Sequence, residues 1–196
     1  MKNIYKYIEE FIYKTINHSV KTNGYTDSNS HFITLFSIAV SIRAKNILEI
    51  GCRSGGTTLP LLCAYSCTDG ILHFVDISDM NFKCSNDLLK YWKFIKSDSL
   101  SYLNNLDSDC IYDLIYIDDR HSYRHVSNEI DLIKKHVNKR SIILLNDLMA
   151  NTDPDYDLKS MSYDENHQFG EGGPYRAVSE INSDIWEFST IQFVMD

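Results

Sequence analysis

Acidic and amide side chains close four short apolar stretches of this sequence. Glu49, Asp76 and Asp118 each end one such stretch, and Asn146-Asp147 ends a fourth. Carboxylate and amide oxygens bind hydroxyl groups, cationic groups and hard divalent ions such as Mg²⁺. His121 follows Asp118 by three residues, and a neutral imidazole can take up a proton near neutral pH. These residues could therefore bind a ligand, hold a metal ion and move a proton.

A glycine-rich segment follows Glu49 directly. It reads Glu49-Ile50-Gly51-Cys52-Arg53-Ser54-Gly55-Gly56-Thr57, which predicts a strand, a sharp turn and the start of a helix. Open α/β sheets bind their ligands at such turns, beyond the carboxyl ends of parallel strands. The order differs from the G-x-G-x-x-G of dinucleotide-binding enzymes, because Arg53 stands in place of the second glycine.

The acid before the turn favours one type of cofactor. Glu49 lies two residues before Gly51, which suits a ligand that presents cationic or hydroxyl groups there. This points to S-adenosylmethionine rather than to a pyrophosphate. A turn that needs glycine only for its shape is the alternative.

Further binding residues are expected where the next strands end. Asp76, followed by Ile77, can accept hydrogen bonds from two ribose hydroxyls, although dinucleotide enzymes also use an acid in this way. Asp98 and Ser99 could bind an adenine edge, and they are equally typical of a helix start.

The last acids predict a metal site. Asp118, Asn146 and Asp147 supply two carboxylates and an amide oxygen, which suit Mg²⁺. Beside them His121 is predicted to act as a base. Acids that merely cap loops are the alternative interpretation.

Strand and helix patterns alternate along the chain, which predicts a mostly parallel α/β sheet with helices on both faces. We expect strands at Asn46 to Ile50, Gly70 to Asp76, Lys93 to Ile95, Tyr112 to Ile117 and Arg140 to Leu145, and a closing antiparallel hairpin at Trp186 to Phe188 and Thr190 to Met195. We expect helices at Ile4 to Ile16, Ser28 to Ile42, Thr57 to Cys67, Met80 to Trp92, Leu100 to Leu106, Ser122 to Val137 and Pro174 to Ile181.

Composition restricts the function classes. The 196 residues are 43% hydrophobic, which suits one domain over residues 1–196. The net charge of −8 and the lack of a Lys/Arg cluster argue against a nucleic-acid partner. The longest apolar run, Phe32 to Ile42, is too short to span a membrane. Five cysteines without a C-x-x-C pair suggest reduced thiols and a cytoplasmic protein.

Two segments stand apart from the alternating pattern. Residues 1–28 are predicted to form an N-terminal helical extension that could pack on the core, cover the site or contact a second copy of the chain. Residues 150–173 are polar, with aromatic side chains among acids, and form a long loop. Such a loop suits either a sugar-binding surface or a mobile lid.

The sequence resembles class I S-adenosylmethionine-dependent methyltransferases of the metal-dependent O-methyltransferase type. It is similar to the catechol type, and more closely to the branch of macrocin and mycinamicin sugar O-methyltransferases and cephalosporin-hydroxylase-like proteins. The resemblance spans roughly residues 29 to 190. The segments that carry it are residues 48–57, 115–123, 142–147 and 172–178, which include Ile117-Asp118-Asp119-Arg120-His121-Ser122-Tyr123.

The resemblance implies a Rossmann-like fold with a seven-stranded sheet and methyl transfer to a hydroxyl of a small molecule, with a sugar or glycoconjugate expected. It implies that Glu49 and the turn hold the methionine part of the cofactor, Asp76 the ribose, and residues 98–100 the adenine. It implies a divalent ion, with Mg²⁺ expected, on the acids named above and His121 as the base. The cofactor-binding residues are then Glu49, Gly51, Arg53, Ser54, Gly55, Thr57, Asp76, Ile77, Asp98, Ser99 and Asp118.

Other classes of protein stay open at this point. A Rossmann-type NAD(P) oxidoreductase would share the strand, turn and helix, but the glycine spacing and the second acid cluster disfavour it. A non-catalytic binding or assembly protein could keep the fold. An oxidative enzyme like the cephalosporin hydroxylases would need an oxygen-activating ligand set, which the sequence does not show.

Overall fold

A computed structural model describes residues 31–53, 55–66, 70–80, 82, 84, 86–148, 172–181 and 186–187. The helices are α1 (Phe32–Ser41), α2 (Thr58–Tyr65), α3 (Asn86–Leu89), α4 (Ser99–Asn104), α5 (Tyr123–Ile133) and α6 (Gly173–Ser179). The strands are β1 (Asn46–Ile50), β2 (Ile71–Asp76), β3 (Lys93–Lys96), β4 (Leu114–Ile117) and β5 (Ile142–Leu145). A 3₁₀ turn at Lys134–His136 follows α5.

The five strands form one parallel sheet in the order β3-β2-β1-β4-β5. Strand β1 lies at the centre, with Ile50 opposite Val75 of β2 and Ile117 of β4. Parallel strands end at the same edge of a sheet, so the residues that follow β1, β2 and β4 share one edge. This is the edge that carries the predicted ligand-binding residues.

The core explains why these segments become strands and helices. All four residues of β4 are buried, as are the last four of β1, which is expected of strands with helices on both faces. Every residue of α2 is buried. Leu35 and Ala39 of α1 pack in the same core cluster as Ile47 and Leu72.

The structure confirms the α/β class and the five expected strands of the parallel sheet. The helix predicted over Met80 to Trp92 is wrong in extent, since helix α3 spans only Asn86–Leu89. Met80 and Phe82 lie outside any helix and instead reach Gly55, close to where a Cβ atom would stand. Contact with the turn thus overrides the helical spacing of these apolar residues.

Several predicted segments lie outside the described residues. These are the N-terminal extension at residues 1–28, the long loop apart from Gly172 and Gly173, and the closing hairpin apart from Trp186 and Glu187. In the portion of the chain that is described, no helix has the length and apolar character needed to cross a bilayer.

The described residues form two compact units. The first holds the described residues up to Asp119 together with Leu132–Leu144, and therefore the sheet apart from Leu145 at the end of β5. The second holds Arg120–Asp131 and the residues from Leu145 onward. In this second unit, Val126 and Ile130 of α5 pack with Ala177 of α6.

A buried polar cluster stabilises the first unit. The Tyr112 hydroxyl lies 2.7 Å from Nδ1 of His73 and 2.9 Å from the Tyr102 hydroxyl, which is itself 2.9 Å from His73 Nδ1. Burial, with a smaller contribution from Lys93, lowers the pKa of His73 to about 4. The imidazole is therefore neutral at pH 7 and can exchange hydrogen bonds with both hydroxyls.

We expect Tyr112→Phe to lower the free energy of unfolding at pH 7 by about 1–2 kcal/mol, because a fully buried hydroxyl leaves two partners. Urea unfolding measures the change. Tyr175→Phe is the matched control, since Tyr175 is 48% exposed and its loss of a hydroxyl should change stability by less than about 0.5 kcal/mol. If the two variants were equally stable, the hydrogen bonds of the Tyr112 hydroxyl would contribute nothing to the free energy of unfolding.

Candidate functional site

Glu49 ends the central strand with its carboxyl group inside the protein. Its Oε2 accepts a hydrogen bond of 2.8 Å from the Thr58 hydroxyl, and its Oε1 accepts one from the Thr57 hydroxyl. Glu49 and Thr58 are fully buried, and Thr57 is nearly so. Both carboxyl oxygens are thus bonded to the N-cap Thr57 and the first residue of α2, so that strand and helix are joined across the turn.

The burial of Glu49 changes its titration. Loss of water raises the pKa of the carboxyl group to about 8, although the two threonine hydroxyls act in the opposite direction. The negative charges of Asp118 and Asp76 add to the increase. The group is therefore mostly protonated at pH 7 in this structure.

The turn at residues 51–57 depends on two glycines. Gly51 and Gly55 both have φ of 84°, a conformation that side chains rarely adopt. A Cβ atom on Gly51 would stand 2.2 Å from the backbone oxygen of Asp118. The end of β4 therefore passes directly beside Gly51, and this close approach needs glycine. Ser54, a predicted binding residue of the same turn, lies outside the described residues.

Arg53 and Asp76 connect the turn to the second strand. The Arg53 backbone N–H donates to Asp76 Oδ2 at 2.9 Å, and the Ser78 N–H donates to Oδ1 at 2.8 Å. These two bonds fix the Asp76 carboxylate at the end of β2. Arg53 itself has φ of 45°, which costs on the order of 1 kcal/mol in a residue with a Cβ atom.

Further residues predicted to bind the cofactor, Ile77, Asp98 and Ser99, lie in the same unit. Ile77 follows Asp76 and is 69% exposed, which is unusual for an isoleucine and leaves an apolar surface beside the carboxylate. Asp98 is the N-cap of α4, since its Oδ1 accepts a hydrogen bond of 3.0 Å from the Ser101 N–H. Ser99 begins that helix and is buried. The capping role expected for Asp98 is thereby confirmed.

Asp118 follows β4 and is 4% exposed. Its backbone N–H donates to the Ile50 carbonyl at 2.9 Å, which continues the pairing of β1 and β4 by one residue. Glu49, Asp76 and Asp118 thus stand at the ends of three adjacent strands, as the sequence predicts.

The second unit contains the other predicted chemistry. His121 is buried, and its Nε2 lies 3.5 Å from Oδ2 of Asp147, whose side chain is 29% exposed. Asp147 has φ of 55°, and aspartate tolerates this conformation better than most residues. Asn146 lies between β5 and Asp147 in the chain. The structure therefore joins the predicted base directly to one predicted metal ligand.

Helix α6 and Tyr123 form a polar group of their own in this unit. The Arg176 guanidinium lies 4.0 Å from the centre of the Tyr123 ring, and its Nε donates to Glu180 at 2.9 Å. The Tyr123 hydroxyl donates to the same carboxylate, which raises the pKa of Tyr123 and lowers that of Glu180. These contacts hold α5 and α6 together.

Comparison with known proteins identifies the family. The methyltransferase domain family matches residues 48–148, slightly more than half of the chain, from β1 to just beyond β5. The chain therefore belongs to this family, and its sheet is that of the class I S-adenosylmethionine-dependent methyltransferases. The expected family and the Rossmann-like α/β fold class are confirmed. No curated protein sequence matches the chain significantly.

Solved structures share the fold at low sequence identity. The methyltransferase PaMTH1 of Podospora anserina, bound to S-adenosylhomocysteine, superposes with a TM-score of 0.53 at 17% identity over 78% of this chain. The O-methyltransferase TomG of Streptomyces achromogenes, in complex with S-adenosylmethionine, gives 0.53 at 16% identity over 76%. The methyltransferase MycE, in complex with Mg, S-adenosylhomocysteine and mycinamycin VI, gives 0.50 at 16% identity over 71%. The matches cover 65%, 71% and 40% of those three chains respectively.

Two partners in the site were missed by sequence reasoning. Thr58 holds the second oxygen of Glu49, and the Ser78 N–H holds the second oxygen of Asp76. Consecutive threonines at a helix start, shortly after a strand-end acid, are the signal that could have indicated the first. The second is a backbone bond two residues along the chain, a common pattern for aspartate in a turn.

We expect Glu49→Gln to gain stability relative to the wild type as the pH rises from about 5 to 8. The pKa of Glu49 is about 8 in the fold against 4.5 in the unfolded chain, so the unfolded state loses its proton first. In the wild type, the contribution of Glu49 to the free energy of unfolding is fully present below pH 4.5. It declines as the pH rises towards 8, by at most about 1.4 kcal/mol per pH unit. Urea unfolding of both proteins across this range measures the difference. A difference that stays constant with pH would contradict the raised pKa.

Proposed function

We propose that this protein is an S-adenosylmethionine-dependent O-methyltransferase that methylates a hydroxyl group of a small molecule. The observation that carries the proposal is the pre-formed edge of the sheet in the first unit, where a fixed Asp76 carboxylate lies beside a glycine turn. Two rigid acceptor oxygens at this place suit the adjacent hydroxyls of a ribose. Exposed Ile77 next to them offers an apolar face for adenine.

The residues of the proposed metal site fit a divalent ion by their chemistry. Asp118, Asn146 and Asp147 offer two carboxylates and an amide oxygen, the hard donors that Mg²⁺ prefers. In the second unit the left-handed backbone of Asp147 and its pairing with His121 fix one of these donors. When bound, such an ion would lower the pKa of an acceptor hydroxyl.

His121 is the proposed base. Its ring is buried and its Nε2 is directed at Asp147, which limits its rotation. An oriented imidazole can receive the proton of the acceptor hydroxyl as the methyl group leaves the sulfonium. The protein otherwise contributes alignment, because the methyl group is already activated in the cofactor.

The methyl acceptor and the cellular location of the enzyme are part of the proposal. A sugar or glycoconjugate is the acceptor that we favour, and mycinamycin VI, the small molecule bound to MycE, is compatible with a small-molecule acceptor. The acidic composition suits a cytoplasmic enzyme with small-molecule partners, and self-association stays a proposal.

Binding measurements test the cofactor. We expect calorimetry to show binding of S-adenosylhomocysteine and none of NAD⁺, because the turn lacks the middle glycine of dinucleotide-binding enzymes. Asp76→Ala should weaken this binding by about ten-fold or more, since two hydrogen bonds to a charged group are lost. Asp109→Ala is the control, an exposed acid of the same unit that should bind like the wild type. Binding of NAD⁺ alone would favour the oxidoreductase.

Metal and base are tested by separate readouts. We expect Asp147→Ala to weaken binding of Mg²⁺ in calorimetry by about ten-fold or more. His121→Ala should weaken Mg²⁺ binding much less than Asp147→Ala does, and should slow methyl transfer to a glycoside or catechol acceptor by about 10²–10⁴-fold, as expected for loss of a general base. Asp131→Ala, an exposed acid of α5, serves as the control. Full transfer by both site variants, together with insensitivity to EDTA, would contradict the mechanism.

A further inference from the structure

The side chain of Arg53 is exposed at the middle of the turn, on a backbone with φ of 45°. This conformation favours glycine, and dinucleotide-binding turns have glycine at the equivalent place. Arginine therefore strains the turn where glycine would not. Strain of this kind at a ligand-binding edge points to a gain that the side chain provides.

Contacts within the described part of the chain do not provide that gain. The Arg53 N–H bond to Asp76 comes from the backbone, so glycine would form it as well. Both oxygens of Asp76 accept backbone N–H groups, and the Arg53 guanidinium forms no hydrogen bond or ion pair with any residue that the structure describes. The side chain is thus available to a ligand.

The charges around Arg53 indicate which ligand group it would take. Arg53 is the only Lys or Arg between Asn46 and Ser66, and the neighbouring strand ends carry Asp76 and Asp118. A cation beside a sulfonium cofactor is unfavourable unless it pairs with an anionic group of the same molecule. S-adenosylmethionine has a single such group, the carboxylate of its amino-acid part, and guanidinium groups bind carboxylates through two parallel hydrogen bonds.

We propose that the Arg53 guanidinium binds the carboxylate of the cofactor and thereby selects ligands that carry the complete amino-acid part. The inference rests on the proposed function, because it takes S-adenosylmethionine as the ligand. It goes further in assigning a specificity-determining role to a residue that departs from the glycine pattern.

Calorimetry with two ligands tests this role. The ligands are S-adenosylhomocysteine and its decarboxylated analogue, which keeps the amine and the thioether. Arg53→Gly is the main variant, because glycine accepts the left-handed backbone and keeps the N–H bond to Asp76. We expect it to weaken binding of S-adenosylhomocysteine by about ten-fold or more and to change binding of the analogue by less than about two-fold. Arg53→Lys, which keeps the charge, should recover part of the loss.

Arg43→Gly is the matched control. Arg43 is also an exposed arginine with a left-handed backbone, at φ of 53°, but it precedes β1 whereas the turn follows that strand. Its replacement should leave the affinity for both ligands within about two-fold of the wild type. Thermal unfolding checks that each variant is folded.

The outcomes separate the two proposals. If wild-type protein binds S-adenosylhomocysteine and Arg53→Gly binds it equally well, the role of Arg53 is overturned and the proposed function stands. An equal loss for both ligands would also overturn the role, because it would reflect the shape of the turn. If the wild type binds neither ligand, the proposed function fails and the role of Arg53 fails with it.

Discussion

The buried carboxyl group of Glu49 is the constraint on which the proposed ligand-binding edge depends. An acid removed from water must be protonated or well hydrogen-bonded, and Glu49 meets both conditions with the hydroxyls of Thr57 and Thr58. The bonds fix the distance between the end of β1 and the start of α2. The intervening backbone then has to turn sharply, which accounts for the left-handed residues Gly51, Arg53 and Gly55.

The strand order brings further acids beside the turn that Glu49 fixes. Because β1 lies between β2 and β4, the residues after these strands are neighbours of the turn. Asp76 is held by the turn itself, and the backbone of Asp118 fills the space that a side chain on Gly51 would need. Asp76 and the backbone of Asp118 are thus positioned by backbone contacts, which tolerate little rearrangement.

Much of this arrangement was predictable, since it follows from local patterns. Continuous apolar runs that end in acids specify buried parallel strands, and the shared edge follows from the topology. The extent of the segment after Asp76 was not predictable, because Met80 and Phe82 have helical spacing and yet pack against Gly55. Nor does any periodicity indicate that Glu49 is bonded to Thr58. Such pairings arise only when strand and helix have already packed together.

The central position of β1 also has a consequence for how the chain folds. This strand is synthesised before both of its neighbours, and Ile47 finds its partner in β4 only at Leu114. Pairing over such a sequence separation is slow, because a long loop must first be closed. Until β4 is available, one side of an apolar strand has exposed hydrogen-bonding groups that can pair with other chains. The exposure of this strand edge during synthesis therefore ends only when residues 114–117 become available for pairing.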